Sequence, residues 1–188
     1  MKIPVEISAR HMHLSKTDFE KLYGKEKNLI FIKKLSQPGE FASKETITLV
    51  KGNNKIENVR ILGPLRKKSQ VELSLTDAYQ LKLNPLPSIK VSGDLTNTTK
   101  INAKGPRGNI KLPVMIAQRH LHCTEKQAKK LKLKNNQKVS IKINGERETT
   151  FHNIIVRISN NYDLSLHLDT DEANSAGIKG KTFGKIVK

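Results

Sequence analysis

The sequence predicts a mainly β protein, organised as small barrels or a sandwich with a few short α-helices. Short runs rich in Val, Ile, Leu and Thr recur along the 188 residues, and Gly, Pro and Asn turns separate them. Helix-start signals are few, and each precedes only a short segment. The order of these segments repeats once along the chain, which indicates two related halves. Many short strands with few helices are typical of barrels and sandwiches.

The first half begins with a predicted strand over residues 5–13. A helix is expected next, because Ser15 and Asp18 fit an N-cap with an acidic residue three positions later, and Gly24 is a typical helix stop. A Pro-Gly turn at 37–40 then precedes a hairpin. The further elements predicted in this half are strands at 46–50, 55–62 and 71–75 and a short helix from Thr76.

The second half repeats this order. A hairpin formed by residues 101–103 and 109–114 leads into a strand that carries residues 120–122. Thr124 and Gln127 form a predicted capping box that starts the next helix. The remaining predicted elements are strands at 138–143, 149–158 and 162–168 and a last short helix at 171–176.

The motif Arg-His-x-His occurs once in each half, at residues 10–13 and 119–122. In a strand, residues two apart point to the same face, so each copy directs two imidazoles to one point while Met12 or Leu121 packs behind them. Strand alternation could produce one such pair without any function. The repetition of the pair favours two parts of a metal site instead.

A second set of matches shows how the halves correspond. Residues 57–59 (Glu-Asn-Val) match residues 152–154 (His-Asn-Ile), and Glu72 matches His167, because 152 − 57 and 167 − 72 are both 95. The two Arg-His-x-His copies are further apart, since 119 − 10 is 109. The first half therefore contains extra residues, and we place this insertion at about residues 24–44.

Equivalent positions in the two halves provide groups that suit zinc. Two imidazoles with one carboxylate, and three imidazoles, are ligand sets of catalytic zinc, whereas structural zinc is usually closed by four protein ligands. These nitrogen-rich sets disfavour magnesium and calcium, while cobalt, iron and nickel stay open as alternatives. His152, the remaining histidine, is interpreted as a surface residue or as a residue that contacts a ligand without binding the metal itself. The candidate metal ligands are His11, His13 and Glu72 in one half and His120, His122 and His167 in the other.

The two halves differ at Arg66, whose equivalent is Asn161, since 66 + 95 is 161. A guanidinium beside a zinc site can hold two oxygens of an oxyanion, and phosphate is the commonest such group. The adjacent Lys67 and Lys68 are interpreted as part of a solvated loop. The sequence contains no Ser-His-Asp order, nucleophile elbow, Walker loop or dinucleotide fingerprint. The chemistry is therefore expected to depend on metal ions and Arg66.

The composition is strongly basic. Lys and Arg number 35 against 17 Asp and Glu, which gives a formal net charge of +18. This charge favours anionic partners, among them nucleic acids, anionic membranes and phosphorylated small molecules, without choosing among them. The single Cys123 excludes an intramolecular disulfide and fits a reducing cytoplasm, and we expect it to be a small buried hydrophobe rather than a ligand. The sequence has no secretory stretch and no membrane-spanning run.

Six segments together resemble the PduL-type phosphate acyltransferases, or phosphotransacylases, and they span nearly the whole chain. They include both Arg-His-x-His copies and the motifs Gln-Pro-Gly-Glu-Phe-Ala and Ser-Gly-Asp-Leu. Two departures do not touch the candidate ligands: Cys123 stands where the family often has Met, and Val91 stands where an Asp commonly precedes Ser-Gly-Asp. The segments are 7–15, 37–42, 57–66, 92–95, 119–122 and 167–174.

The resemblance implies two pseudo-symmetric closed β-barrels that are interleaved in sequence and carry short capping α-helices. One barrel would comprise residues 1–9 and 118–188, and the other residues 10–117 with the small insertion. The resemblance also implies that the six candidate ligands hold two zinc ions per chain and that Arg66 binds phosphate. Arg107 and Lys104 are candidates for contacting the phosphates of coenzyme A.

The activity implied is the reversible transfer of a short acyl group, acetyl or propanoyl, between coenzyme A and inorganic phosphate. Its substrates and products are acyl-CoA, inorganic phosphate and acyl phosphate. Relatives suggest a homodimer, and the absence of an N-terminal microcompartment-targeting extension predicts a free cytoplasmic enzyme with no membrane partner. A zinc hydrolase with the same ligands is one alternative. A basic nucleic-acid-binding barrel is another, although its strands lack the aromatic platforms usual for binding single strands.

Overall fold

The computed structural model describes residues 1–187 of the chain. The chain splits into two compact units. The discontinuous unit comprises Met1–Ala9 and Gln118–Lys188, and the continuous unit comprises Arg10–Ala117. The elements are, in chain order, β1 (Ile3–Ser8), β2 (His11–His13), α1 (Lys16–Tyr23), β3 (Phe31–Lys34), β4 (Phe41–Lys51), β5 (Asn54–Gly63), β6 (Gln70–Leu73), α2 (Leu75–Gln80), β7 (Ile89–Lys90), β8 (Thr99–Lys104), β9 (Asn109–Ala117), β10 (His120–Cys123), α3 (Glu125–Leu131), β11 (Lys138–Ile143), β12 (Thr149–Ile158), β13 (Ser165–Asp169), α4 (Thr170–Ser175) and β14 (Thr182–Val187).

Six strands of the discontinuous unit close into a barrel in the order β1-β13-β10-β12-β11-β14. The last strand, which the sequence did not predict, closes the barrel by pairing antiparallel with both β1 and β11. At Gly184 this strand approaches β11 so closely that a Cβ atom would lie 2.5 Å from the Cγ2 atom of Ile141. A side chain at residue 184 would therefore disturb the closure.

The continuous unit also contains a closed ring of six strands. Its sheet runs β3-β4-β5-β2-β6-β9-β7, and β8 pairs with both β4 and β9, which closes β4, β5, β2, β6, β9 and β8 into a ring. Strands β3 and β7 extend the sheet outside the ring, and β3 lies within the segment interpreted as an insertion. The prediction of a mainly β fold with closed barrels and short helices is thus confirmed.

The strands of the two barrels correspond one to one. Strands β9, β6, β2, β5, β4 and β8 take the places that β1, β13, β10, β12, β11 and β14 take in the other barrel. Each barrel has two parallel strand pairs in equivalent places, β1 with β13 and β10 with β12 in one, and β9 with β6 and β2 with β5 in the other. The sequence repeat is therefore also a structural repeat.

Aliphatic side chains form the core of each unit. Met12 and Leu121, the middle residues of the two His-x-His strands, are fully buried, each in the core of its own unit. Burying such a side chain contributes about 1.5–3 kcal/mol, so both strands are firmly anchored. Because side chains alternate along a strand, the neighbouring imidazoles point to the other face. Cys123 is buried in the core of the discontinuous unit, as predicted.

The prediction of a single strand over residues 5–13 is wrong. Strand β1 ends at Ser8 and β2 begins at His11, and the two strands belong to different units. The sequence between them contains neither Gly nor Pro, so no local signal marks the point where the chain passes from one barrel to the other. The chain makes the reverse passage between β9 and β10.

The predicted strand at 162–168 and the predicted helix at 171–176 are each displaced. Tyr162 lies in a turn, where its backbone N–H donates to the carbonyl oxygen of Ser159 at 3.1 Å, so β13 begins three residues later than predicted. The side chain of Asp169 caps α4, so this helix begins one residue earlier. No helix within residues 1–187 is long and apolar enough to cross a membrane.

Candidate metal centres

In the continuous unit, two neighbouring strands bring His11, His13 and Glu72 together. Strands β2 and β6 pair antiparallel, with His11 opposite Glu72 and His13 opposite Gln70. The Nε2 atom of His11 lies 3.6 Å from Oε2 of Glu72, and the two imidazole centroids are 5.1 Å apart. All three proposed ligands are buried, and one ligand atom from each lies within 4.8 Å of the others. This arrangement could hold one metal ion.

Two polar side chains hold the carboxylate of Glu72. Gln70 Nε2 and Ser92 Oγ both donate to Glu72 Oε1, the serine at 2.7 Å. Burial by itself raises the pKa of Glu72, but the neighbouring His11 and His13 and these two hydrogen bonds lower it to about 2. Glu72 is therefore a carboxylate at neutral pH. Its Oε2 atom, which is nearer to His11, receives neither of the two hydrogen bonds.

In the discontinuous unit, β10 and β13 bring together His120, His122 and His167. The strands pair antiparallel, with His120 opposite His167 and His122 opposite Ser165. The ring of His167 lies 4.8 Å from each of the other two rings, centroid to centroid, and one ligand atom from each histidine lies within 4.8 Å of the others. His120 Nδ1 lies 2.9 Å from the carbonyl oxygen of Gln118. Metal-bound histidines usually make such a bond through the nitrogen that does not bind the metal, which favours Nε2 of His120 as a ligand atom.

One imidazole in each unit, His13 and His122, is in a state suited to metal binding. Within residues 1–187, three buried ring nitrogens have no hydrogen-bond partner, namely Nδ1 of His13 and both ring nitrogens of His122. A buried polar atom without a partner is costly unless an ion or ligand satisfies it. Burial, and to a lesser extent neighbouring positive charge, lowers the pKa of His13 well below its usual value and the pKa of His122 to about 2. Both rings are therefore neutral at pH 7, which is the form that binds metal ions.

The arginine of each Arg-His-x-His motif pairs with a capping residue of a short helix. Arg10 Nε lies 3.2 Å from Asp77 Oδ1, and Arg119 Nε lies 2.6 Å from Glu172 Oε1. Asp77 and Glu172 are the third helical residues in the capping boxes of α2 and α4. These helices directly follow β6 and β13, the strands of the third ligands. Each ion pair therefore connects the two strands that supply one ligand group.

The backbone of Arg66 is hydrogen-bonded to the chain segment that follows β2. The N–H group of Arg66 donates to the carbonyl oxygen of Leu14 at 2.8 Å. Its Nη2 atom lies 2.6 Å from Glu40 Oε1, and its side chain is 34% exposed. After burial and His11, the charge of Arg66 is a further cause of the lowered pKa of His13. A guanidinium has five N–H donors, so those that Glu40 does not use can bind an anion.

The structure places Arg107 and Lys104 at the hairpin between β8 and β9. Arg107 Nη2 lies 2.9 Å from Glu26 Oε1 in an exposed ion pair, and Lys104 is exposed at the end of β8. Exposed cations of this kind can reach a phosphorylated ligand. Their assignment to coenzyme A stays a prediction.

His152 lies outside both ligand groups and serves as a control. It is exposed, and its Nδ1 atom lies 2.7 Å from Ser140 Oγ. Because substitutions at such surface positions usually have small effects, His152→Ala should keep its metal content and its acyl-transfer rate within about twofold of wild type. Elemental analysis and a thiol-release assay would check this. Loss of a metal ion in this variant would contradict the ligand assignment.

Sequence reasoning missed several residues that support these groups. Gln70 lies two residues before Glu72 on the same strand, so the spacing that marked the histidines could also have indicated Gln70. Ser92 and Glu40 lie in motifs that the sequence displays, but only the fold shows that they contact Glu72 and Arg66. Such contacts depend on pairing between distant segments and leave no periodic signal in the sequence.

Comparisons with known proteins point to one family. The family model described as phosphate propanoyltransferase matches residues 4–179. The chain is similar to the phosphate propanoyltransferase of Alkaliphilus metalliredigens (strain QYMF), with 43% identity over 190 residues that cover 100% of this chain and 89% of the relative. It is 42% identical to the Clostridioides difficile (strain 630) protein, covering 99% and 89% of the two chains. For the protein of Lachnoclostridium phytofermentans (strain ATCC 700394 / DSM 18823 / ISDg) the identity is 44%, covering 98% and 85%.

The extent of these matches defines the class of protein: the chain is an acyltransferase. Identity above 40% over nearly the full length of three relatives leaves no part of either barrel outside the comparison. The chain belongs to the phosphate propanoyltransferase family. The resemblance stated from the sequence motifs is confirmed, and phosphate acyltransferase is the general activity that the family supports.

Proposed function

We propose that the chain transfers an acetyl or propanoyl group reversibly between coenzyme A and inorganic phosphate at a site that uses two zinc ions. The observation that carries this proposal is the pair of three-ligand groups, one in each unit, in a chain of the phosphate propanoyltransferase family. Neither group contains Cys, and three protein ligands with an open position are typical of catalytic zinc. Acyl-CoA, inorganic phosphate and acyl phosphate are then the substrates and products.

The ligand groups would hold zinc through neutral imidazoles and one carboxylate. His13 and His122 have lowered pKa values and need not lose a proton to bind a metal ion at neutral pH. Gln70 and Ser92 engage one oxygen of Glu72 and leave the other for the ion. When bound, zinc supplies Lewis acidity that polarises a carbonyl or phosphoryl oxygen and stabilises the negative charge that develops there.

Arg66 is the residue that we assign to phosphate. Its planar guanidinium can hold two phosphate oxygens, while its backbone bond to Leu14 and its ion pair with Glu40 restrict its orientation. An oriented phosphate would use a further oxygen to attack the carbonyl carbon of the thioester. The carbon–sulfur bond then breaks, and coenzyme A leaves as a thiolate. Because the acyl group passes directly to phosphate, no side chain has to become acylated.

The direct test of this function is thiol release from acetyl-CoA and propanoyl-CoA with and without inorganic phosphate. We expect release to require phosphate and to yield one acyl phosphate for each thiol. The reverse reaction, from acyl phosphate and coenzyme A, should proceed with the same preparation. Thiol release that is independent of phosphate and yields free carboxylic acid would identify a hydrolase and refute the proposal.

Ser92→Ala is expected to weaken zinc binding by about 10- to 100-fold, because it removes one of the two hydrogen bonds that hold the carboxylate of Glu72. Excess zinc should restore most of the acyl-transfer rate. Zinc affinity is measured by competition with a chelator. Ser140→Ala is a suitable control, since this serine contacts the exposed His152 instead. Equal zinc affinity in the Ser92 variant and wild type would exclude a role of Ser92 in holding the ligand.

A further inference from the structure

The ring of His122 is held differently from the rings of the other two histidines in its group. His120 Nδ1 lies 2.9 Å from the carbonyl oxygen of Gln118, and His167 Nε2 lies 2.7 Å from Ser165 Oγ. Neither ring nitrogen of His122 has a hydrogen-bond partner within residues 1–187. The outer torsion of a histidine side chain has a broad energy minimum, so hydrogen bonds usually fix the ring plane. The ring of His122 therefore needs another contact to hold its plane.

Tyr162 provides this contact. Its ring is stacked on the imidazole of His122, with the two centroids 3.9 Å apart and the ring planes 12° from parallel. The rings of His120 and His167 lie farther from His122, at 4.6 and 4.8 Å, and are tilted against it by 55° and 59°. A stack between two ring faces restricts the plane of the imidazole and leaves both of its nitrogens available to a metal ion.

The turn that follows β12 brings Tyr162 to this position. The backbone N–H of Ser159 donates to the carbonyl oxygen of Cys123, the residue after His122, and the N–H of Tyr162 donates to the carbonyl oxygen of Ser159, both at 3.1 Å. Arg157 lies opposite His122 on β12, and its guanidinium carbon is 5.9 Å from the centroid of the Tyr162 ring. Backbone hydrogen bonds thus connect the tyrosine to the strand that carries the ligand.

The continuous unit has a different residue at the equivalent position. Lys67 corresponds to Tyr162, since 162 − 95 is 67, and it is exposed. His13, the counterpart of His122, instead meets the ring of His11 edge-on, with centroids 5.1 Å apart and planes 84° apart. The tyrosine therefore accompanies only the group that consists of three imidazoles.

We propose that Tyr162 is a positioning residue that orients the imidazole of His122 for the metal ion of the three-histidine group. This inference rests on the proposed zinc sites and adds no ligand to them, so both groups keep an open position. Tyr162 acts through His122, because a ring held in its plane beforehand loses less freedom when the ion binds. The aromatic face performs this role, and the phenolic hydroxyl has no part in it.

The test compares Tyr162→Phe and Tyr162→Leu with the unsubstituted residue and with a control. Phenylalanine keeps the ring and loses only the hydroxyl, whereas leucine removes the stack and keeps an apolar side chain. Phe183→Leu is the control, because it removes an exposed aromatic ring from β14 of the same unit. Zinc affinity is measured by competition with a chelator, and the visible absorption of bound Co²⁺ reports the arrangement of the ligands. A His13→Ala background isolates the ion of the discontinuous unit.

A second measurement on the same variants needs no metal. In metal-free protein, the ring current of Tyr162 should shift the NMR resonances of the His122 ring protons upfield, because the two ring faces are 3.9 Å apart. Tyr162→Phe should keep this shift, and Tyr162→Leu should lose it. The shift depends on the stack alone, so it distinguishes a failure of this inference from a failure of the proposed zinc sites.

We expect Tyr162→Leu to bind zinc about three- to tenfold more weakly and to change the Co²⁺ absorption, since an aromatic pair is worth about 0.5–1.5 kcal/mol. Tyr162→Phe and Phe183→Leu should stay within about twofold of the unsubstituted background. An unchanged zinc affinity in Tyr162→Leu would overturn the inference and leave the proposed function standing.

Equal losses of affinity in the phenylalanine and leucine variants would also overturn the inference, because the hydroxyl and not the ring would then matter. The absence of the upfield shift in unsubstituted protein would show that the stack does not form in solution. A wild-type chain that shows the shift but binds no metal would refute the proposed zinc sites and, with them, the role assigned to Tyr162.

Discussion

His13→Ala is expected to abolish phosphate-dependent acyl transfer and to remove one of two metal ions per chain. His13 is buried, and its Nδ1 atom has no hydrogen-bond partner within residues 1–187, so the substitution removes one of the three proposed ligands of this group. The remaining pair, His11 and Glu72, would hold an ion weakly. We expect kcat/KM to fall by at least about 100-fold, since losses outside the ligand shell alone cost 10- to 100-fold. Elemental analysis and thiol release on one sample measure both effects.

The matched control for this result is His152→Ala, which also removes one imidazole from a strand but does so at an exposed position. Circular dichroism of both variants would show whether the barrels remain folded. A His13→Ala chain that retains two ions and the wild-type rate would show that His13 is not a ligand. Added zinc at high concentration should restore part of the rate if the defect is weak binding.

Arg66→Lys should raise the phosphate concentration needed for half-maximal rate by about 10- to 100-fold, because a charge-assisted hydrogen bond contributes about 1.5–3 kcal/mol. Lysine keeps the charge but loses the planar fork that holds two oxygens. It also cannot reproduce the orientation that the Glu40 contact imposes on the guanidinium. The apparent affinity for acyl-CoA should change much less. Steady-state rates against phosphate and against acyl-CoA separate the two effects.

Arg147→Lys is the control for this substitution, since Arg147 is an exposed arginine of the other unit whose guanidinium donates to the carbonyl oxygen of Asn174 at 3.5 Å. A surface arginine of this kind is expected to leave both kinetic constants within about twofold. If Arg66→Lys behaves like Arg147→Lys, the phosphate assignment is wrong even where the zinc sites are verified. A rise in the half-saturating acyl-CoA concentration alone would point to a coenzyme A contact instead.

The residues of both ligand groups could be predicted because they follow local and repeated patterns. The i, i+2 spacing of His11 and His13 is visible in the sequence, and so is its second copy. The repeat then paired Glu72 with His167, and the structure brings each of these residues to the histidines of its own half. Two independent matches with the same offset carry more weight than one motif, which explains why the sequence selected residues that the structure brings together.

The passage of the chain between barrels could not be predicted in the same way. Residues 5–13 read as one strand, although Ser8 ends one strand and His11 begins another in a different unit. Strand formation is signalled by local side-chain pattern, while the choice of barrel depends on which distant strand provides the hydrogen bonds. The last strand was missed for a related reason, since its exposed Lys185 weakens the apolar pattern and its pairing with β1 and β11 determines its conformation.

Side-chain contacts between neighbouring elements were also beyond sequence reasoning. Glu6 faces His167 only because β1 and β13 pair in one particular register, and a shift by one residue would turn it to the other face. The pairing of Arg119 with Glu172 likewise needs the helix cap of α4 to form next to β10. These contacts join residues far apart in sequence, and each becomes visible only after the barrel has closed.

The measurement that tests this account most directly is the acyl-transfer rate as a function of zinc returned to metal-free protein. Wild-type chain is stripped with a chelator, the chelator is removed, and zinc content and phosphate-dependent thiol release are followed in the same samples. We predict no transfer in the metal-free protein and a rate that rises until two zinc ions are bound per chain. Full activity in samples that elemental analysis shows to be free of metal would contradict the account.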